Sequence, residues 1–103
     1  MKITERWLHS DSVTGAYVFD DGAIAFWSEG TGSAIDLIMP PDEHSRCKHY
    51  RFGCDEQPSE IEPKASAYQE IILDVVENGA DFKDRKMTKS EMRDCDRIRA
   101  LRI

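Results

Sequence analysis

Apolar and polar positions alternate through the first half of the chain, which predicts a β-sheet. The sequence Asp20-Asp21-Gly22 lies between two such segments and fits a tight hairpin turn, because Gly supplies the positive φ that this turn requires. Pro40 and Pro41 end the fourth segment, since proline cannot donate to a strand ladder. The strands expected from this pattern cover residues 2–8, 13–19, 23–27, 34–39 and 47–52.

The apolar period changes to that of a helix between residues 65 and 78. Ser66 and Gln69 have the spacing of a capping box, and Gly79 is typical of a helix C-terminus. The side chains expected on the buried stripe are those of Tyr68, Ile71, Ile72, Val75 and Val76.

A second helix is expected after Thr88, whose hydroxyl can cap the backbone while Glu91 reaches back to it. Its apolar face would consist of Met92, Cys95, Ile98 and Leu101. These patterns together predict one α+β domain over residues 1–103, with an antiparallel sheet of four to five strands packed against two C-terminal helices.

The chain is expected to stay in the cytoplasm. Hydrophobic residues make up 40% of the chain and charged residues 33%, as in a globular protein. No apolar run approaches the roughly 20 residues of a membrane span, and the N-terminal segment lacks the apolar core of a signal peptide. Three cysteines, an odd number, argue against a secreted disulfide framework.

The net charge of −6 is unevenly distributed. Residues 1–80 contain 15 acidic and 6 basic residues, whereas residues 81–103 contain 5 and 8. An acidic body repels nucleic acid and favours basic protein surfaces. Direct binding of DNA or RNA is therefore disfavoured, and a protein with a basic surface is the expected partner.

The densest group of chemically active side chains contains His44, Cys47, His49 and Cys54. In an extended strand, Cys47, His49 and Arg51 would share one face. The spacing lacks the paired C-x2-C elements of a zinc site, so ordinary thiols and surface histidines are the favoured interpretation. No cofactor is expected.

No catalytic signature emerges from the remaining motifs. Cys47 and His49 could form a nucleophile and base, but the sequence identifies neither an orienting group nor oxyanion donors. The segment His9-Ser10-Asp11 fits a turn, since adjacent residues of an extended chain point to opposite sides. The aromatic residues of the predicted sheet are expected to fill its core. An enzyme is therefore not expected.

These observations predict a small acidic binding protein that acts as a stoichiometric inhibitor of a basic, nucleic-acid-handling protein. Small acidic domains without enzyme motifs are a frequent form of inhibitor, such as immunity proteins that block nuclease toxins and phage proteins that block CRISPR complexes. The analogy is to a kind of protein, and it assigns no role to any individual residue of this chain. The expected contacts are the loop acids Asp20, Asp21, Asp42, Glu43, Asp55 and Glu56.

Two alternatives from other classes remain open. The first is a metal-binding or redox-sensitive module centred on Cys47, His49 and Cys54, with His44 or Cys95 as a further member. The second is a small nucleic-acid binder that uses the basic C-terminal helix. A homodimer is also open, because an exposed sheet edge can pair with a second copy.

Overall fold

The computed structural model of the protein describes residues 1–29, 34–40 and 49–101. Within these ranges the chain forms six strands, two α-helices and one short 3₁₀-helix at Pro58–Glu60. The strands are β1 (Ile3–Leu8), β2 (Thr14–Phe19), β3 (Ile24–Ser28), β4 (Ala34–Ile38), β5 (His49–Gly53) and β6 (Lys83–Lys86). The helices are α1 (Pro63–Asn78) and α2 (Lys89–Arg99).

All six strands join one sheet in the order β5-β4-β3-β2-β1-β6. The first five strands form the antiparallel meander expected from the sequence, and Gly22 in the β2–β3 turn has a φ of 95°. The predicted number of strands was too small, because β6 pairs in parallel with β1 at the sheet edge. Its sequence, Lys-Asp-Arg-Lys, contains no apolar residue that could produce an alternating pattern.

The two helices cover opposite faces of this sheet. On one face, buried residues of α1 pack against Tyr17, Phe19 and Leu37. On the other face, Cys95 and Ile98 of α2 pack against residues of β2 and β3. The domain is therefore a three-layer α+β fold, with the sheet between its two helices.

The ends of both helices are fixed by local contacts. At α2, the predicted capping box is confirmed, because Glu91 N–H donates to Thr88 and Thr88 N–H donates to Glu91. At α1, the predicted cap was wrong: the helix begins at Pro63, with Glu62 as the capping residue. Proline favours this first helical position, since its missing N–H needs no partner there.

The described residues contain no helix long and apolar enough to cross a membrane.

Candidate functional site

The four described acids among the predicted contacts lie at two different ends of the sheet. Asp20 and Asp21 occupy the β2–β3 turn, at what we call the turn end. Asp55 and Glu56 follow β5, which ends beside Ala34 and therefore at the opposite end. These four acids cannot form one patch. Asp42 and Glu43 lie outside the described residues.

Two of these carboxylates make contacts that hold the fold together. Asp21 accepts hydrogen bonds from the Ala23 N–H at 2.9 Å and from the Tyr68 hydroxyl at 2.5 Å. Burial and this hydrogen bond to Asp21 raise the pKa of Tyr68 to about 12. Glu56 accepts a hydrogen bond from the Gly53 N–H at 2.5 Å. The carboxylates of Asp21 and Glu56 are thus engaged in internal contacts.

A larger group of exposed acids lies on α1 near the turn end. Glu70, Asp74 and Glu77 follow one another at i, i+4 and i+7 and therefore share one side of the helix. Glu70, Asp74 and Asp81 line a shallow depression together with Lys2 and Ile3. The backbone N–H of Lys2 donates to Asp20, which brings the turn to the same surface. We call this surface the acidic face: Asp20, Glu70, Asp74, Glu77 and Asp81.

The acids of the acidic face make no ion pair with an Arg or Lys of the described residues. Other acids of the described residues do form such pairs. Arg6 binds Asp84 at 2.7 Å, and Arg85 binds Glu91 at 2.6 Å. The Arg85 hydrogen bond is the main reason that the pKa of Glu91 is lowered to about 2.

The two segments that contain the helices carry opposite net charge. Residues 54–81, which include α1, contain eight acidic residues and one basic residue. Residues 82–101, which include α2, contain four acidic and seven basic residues. The sequence indicates this division, but only the fold shows that the two helices cover opposite faces of the sheet.

The structure also contains a charged cluster that sequence reasoning missed. Asp36 is fully buried on the α2 side of the sheet. Its Oδ1 lies 2.5 Å from Arg51 Nε and 2.9 Å from His49 Nε2, and its Oδ2 lies 3.0 Å from Arg99 Nη1. Arg51 also donates to the carbonyls of Ile98 and Arg99 at the end of α2. This cluster fastens the C-terminal end of α2 to the sheet.

Two members of the predicted metal or redox group, His49 and Cys54, lie on opposite faces of the sheet. As expected, His49 and Arg51 point to the same face of β5, and there both contact Asp36. Cys54 instead packs with the core on the α1 side. Among the described residues, no three His, Cys, Asp or Glu side chains are close enough to hold a metal. His44 and Cys47 lie outside the described residues.

The two described thiols are poorly suited to nucleophilic chemistry. Burial raises the pKa of Cys54, and burial raises the pKa of Cys95 to about 11. A thiol nucleophile needs the opposite shift, toward the thiolate. At Cys95 the side chain serves as part of the core beneath α2.

The aromatic residues of the sheet are mainly core residues, as predicted. Tyr17, Phe19 and Phe26 are all less than 10% exposed. The Trp7 ring is covered by the guanidinium of Arg85, 4.4 Å from the ring centre. These rings are therefore not arranged as an open platform for stacking bases.

Comparisons of the chain with protein-family models, with curated proteins and with solved structures find no match.

Proposed function

We propose that this chain is a small non-enzymatic protein that binds and blocks a basic, nucleic-acid-handling protein through its acidic face. The supporting observation is the set of five exposed acids around α1 that have no basic partner among the described residues. Uncompensated exposed charge of one sign attracts a surface of the opposite sign and accelerates association.

Inhibition would result from occupation of the partner's basic surface. A protein that holds nucleic acid depends on Lys and Arg side chains that neutralise phosphates. Carboxylates of the acidic face would pair with the same side chains and exclude the phosphates. No reaction is required, so one copy blocks one site. Residue composition favours a reducing compartment, and we place this interaction in the cytoplasm.

The contacts that we now assign to this function differ from those expected from the sequence. Asp20 is retained, because it accepts a hydrogen bond from the backbone N–H of Lys2, which lines the depression beside α1. Asp55 lies at the other end of the sheet and is not part of the acidic face. Asp21 supports the turn rather than the interface, because both of its carboxylate oxygens accept internal hydrogen bonds.

Charge reversal tests this proposal. The double variant Glu70→Lys with Asp74→Lys raises the net charge of the chain from −6 to −2, and both changes lie on the acidic face. The matched control, Asp55→Lys with Asp94→Lys, gives the same net charge through two exposed acids outside the acidic face. Immobilised wild-type chain would first capture partners from a lysate, and purified partner would then be used for association kinetics.

We expect the acidic-face variant to slow association roughly 10-fold or more at low salt, and the control to slow it far less. The difference should shrink as salt increases, since exposed charges are screened. Equal slowing by both variants would show that net charge alone steers the partner. No slowing by either would remove the acidic face from the interface.

A further inference from the structure

A groove lies between α1 and the sheet, at the end opposite the β2–β3 turn. Its accessible volume is about 430 Å³. The floor is formed by Tyr17, Trp27 and Ile35, and the helical wall by Ile72, Leu73 and Val76. The groove is thus predominantly apolar and has the size of a ligand-binding cleft.

The helical wall is incompletely covered by the chain's own described residues. Val76 is 70% exposed, although the sequence pattern placed it on the buried stripe of α1. Leu73, one helical turn before it, is half-buried. An apolar wall that faces a cleft and remains open to solvent is typical of a binding surface.

The aromatic floor is held in a defined position. The rings of Tyr17 and Trp27 lie 6.1 Å apart and are tilted by 36°. The Trp27 indole lies directly over Gly15, where a Cβ atom would come within 2.4 Å of the ring. Any side chain at position 15 would push the indole away. Glycine therefore permits this arrangement of the floor.

The free charge at the groove is negative. Glu29 lies at its rim, is exposed, and forms no ion pair with the residues that the structure describes. Arg6 also borders the groove, but it donates two hydrogen bonds to Asp84, at 3.0 and 2.7 Å. This ion pair neutralises the one basic side chain among the lining residues. Trp27 and Glu29 are two residues apart, so an extended chain points them to the same face.

We propose that this groove receives an Arg or Lys side chain of the basic protein partner. The aliphatic stem would pack against Ile72 and Val76, and the cationic head would lie beside the Trp27 indole and the Glu29 carboxylate. Long basic side chains combine these two kinds of contact, and a cation beside an indole is further stabilised by the π-electrons of the ring. This inference rests on the proposed function, because it assumes a basic protein partner.

Nuclear magnetic resonance tests the groove without the partner, because each indole N–H gives its own signal. The probe is N-acetyl-arginine amide, and its neutral counterpart is N-acetyl-citrulline amide. Trp27 reports on the groove. Trp7 is an internal reference, since its indole N–H donates to Glu5 and its ring packs with the core on the opposite face of the sheet.

The arginine probe should shift the Trp27 signal with a Kd on the order of millimolar, while the Trp7 signal stays constant. The citrulline probe should cause a much smaller shift, because it lacks the positive charge. Replacement of the carboxylate by Glu29→Gln should raise the Kd of the arginine probe about fivefold. Equal shifts from both probes, or no shift from either, would overturn the proposed occupant.

A pair of helix variants links the groove to partner binding. Val76→Lys places a charge at the groove wall and should abolish the Trp27 response. Its control is Ala67→Lys, which adds the same charge on the same helix. Nine residues, or about two and a half turns, separate the two positions, so they lie on opposite sides of α1. Both positions are exposed, and both variants are expected to fold.

The outcomes separate this inference from the proposed function. If Val76→Lys retains the partner at wild-type affinity while reversal of the acidic face releases it, the groove inference fails and the proposed function stands. If the arginine probe binds but reversal of the acidic face leaves association unchanged, the proposed function fails. Loss of partner binding in Val76→Lys but not in Ala67→Lys supports both.

Discussion

Replacement of the buried carboxylate by Asp36→Asn should strongly destabilise the domain. Asp36 is fully buried and contacts Arg51, Arg99 and His49. Asparagine keeps the shape but removes the negative charge, so the guanidinium groups of Arg51 and Arg99 lose their counter-ion. Their side chains are only 28% and 18% exposed, respectively, so water replaces that counter-ion poorly. Breaking a buried ion pair by removing one partner costs about 3–5 kcal/mol.

The lower end of this range is the expected loss, because both arginines keep some contact with water. A loss of about 3 kcal/mol is a large share of the roughly 5–15 kcal/mol that stabilises a domain of this size. It corresponds to a decrease in Tm of about 12–24 °C, at about 4–8 °C per kcal/mol. Arg51 also binds the carbonyls at the end of α2, so the docking of that helix should weaken first.

Equilibrium unfolding in urea, followed by circular dichroism, measures this loss as a change in the midpoint at constant slope. The control is Asp94→Asn, which removes an exposed carboxylate on α2 that lies 3.9 Å from Arg97. Exposed pairs contribute little, so this variant should lose less than about 0.5 kcal/mol. A loss below about 1 kcal/mol in Asp36→Asn would refute the importance of its charge.

Two further predictions concern local packing and pH. Gly15→Ala should destabilise the fold by about 1–3 kcal/mol in the same unfolding assay, because its Cβ would lie 2.7 Å from the Trp7 carbonyl as well as against Trp27; wild-type stability would contradict this. The pKa of Glu91 is lowered from about 4.5 to about 2, chiefly by Arg85. This pair therefore stabilises the fold above pH 4.5, and the contribution disappears as the pH falls toward 2. Glu91→Gln should remove that part of the pH dependence. If the free energy of unfolding of Glu91→Gln and of the wild type changed equally between pH 2 and pH 4.5, the result would count against the pair.

The sequence predicts most of the strands and both helices because their buried faces impose a period. Five strands follow from alternation and turn residues, and the α2 capping box follows from Thr88 and Glu91. The strand β6 could not be found this way, since three of its four residues are exposed and none is apolar. An edge strand of this kind is held by backbone pairing with β1, which leaves no pattern in the side chains.

The candidate site was harder to predict because it depends on how the elements are arranged. Loop acids are visible in the sequence, but the ends of the sheet at which they lie are not. Asp36 stands within the apolar run of β4 and gives no sign that Arg51 and Arg99 will reach it. Tyr68, Ile72 and Val75 of the predicted α1 stripe are buried, but a period does not determine how wide the covered face is. Val76 therefore remained exposed.

The acidic face carries a physical cost that the fold itself does not offset. Glu70 and Asp74 are like charges at i, i+4, a spacing that destabilises a helix by a few tenths of a kcal/mol, and Glu77 extends the same row. Four arginines are engaged with other acids: Arg6 with Asp84, Arg85 with Glu91, and Arg51 and Arg99 with Asp36. These four guanidinium groups thus bind carboxylates elsewhere in the domain, and this row of carboxylates makes no ion pair with an Arg or Lys of the described residues. Cations from a second protein would relieve that repulsion. The strongest binding is therefore expected at the acidic face, where the negative charges of the isolated domain are not neutralised.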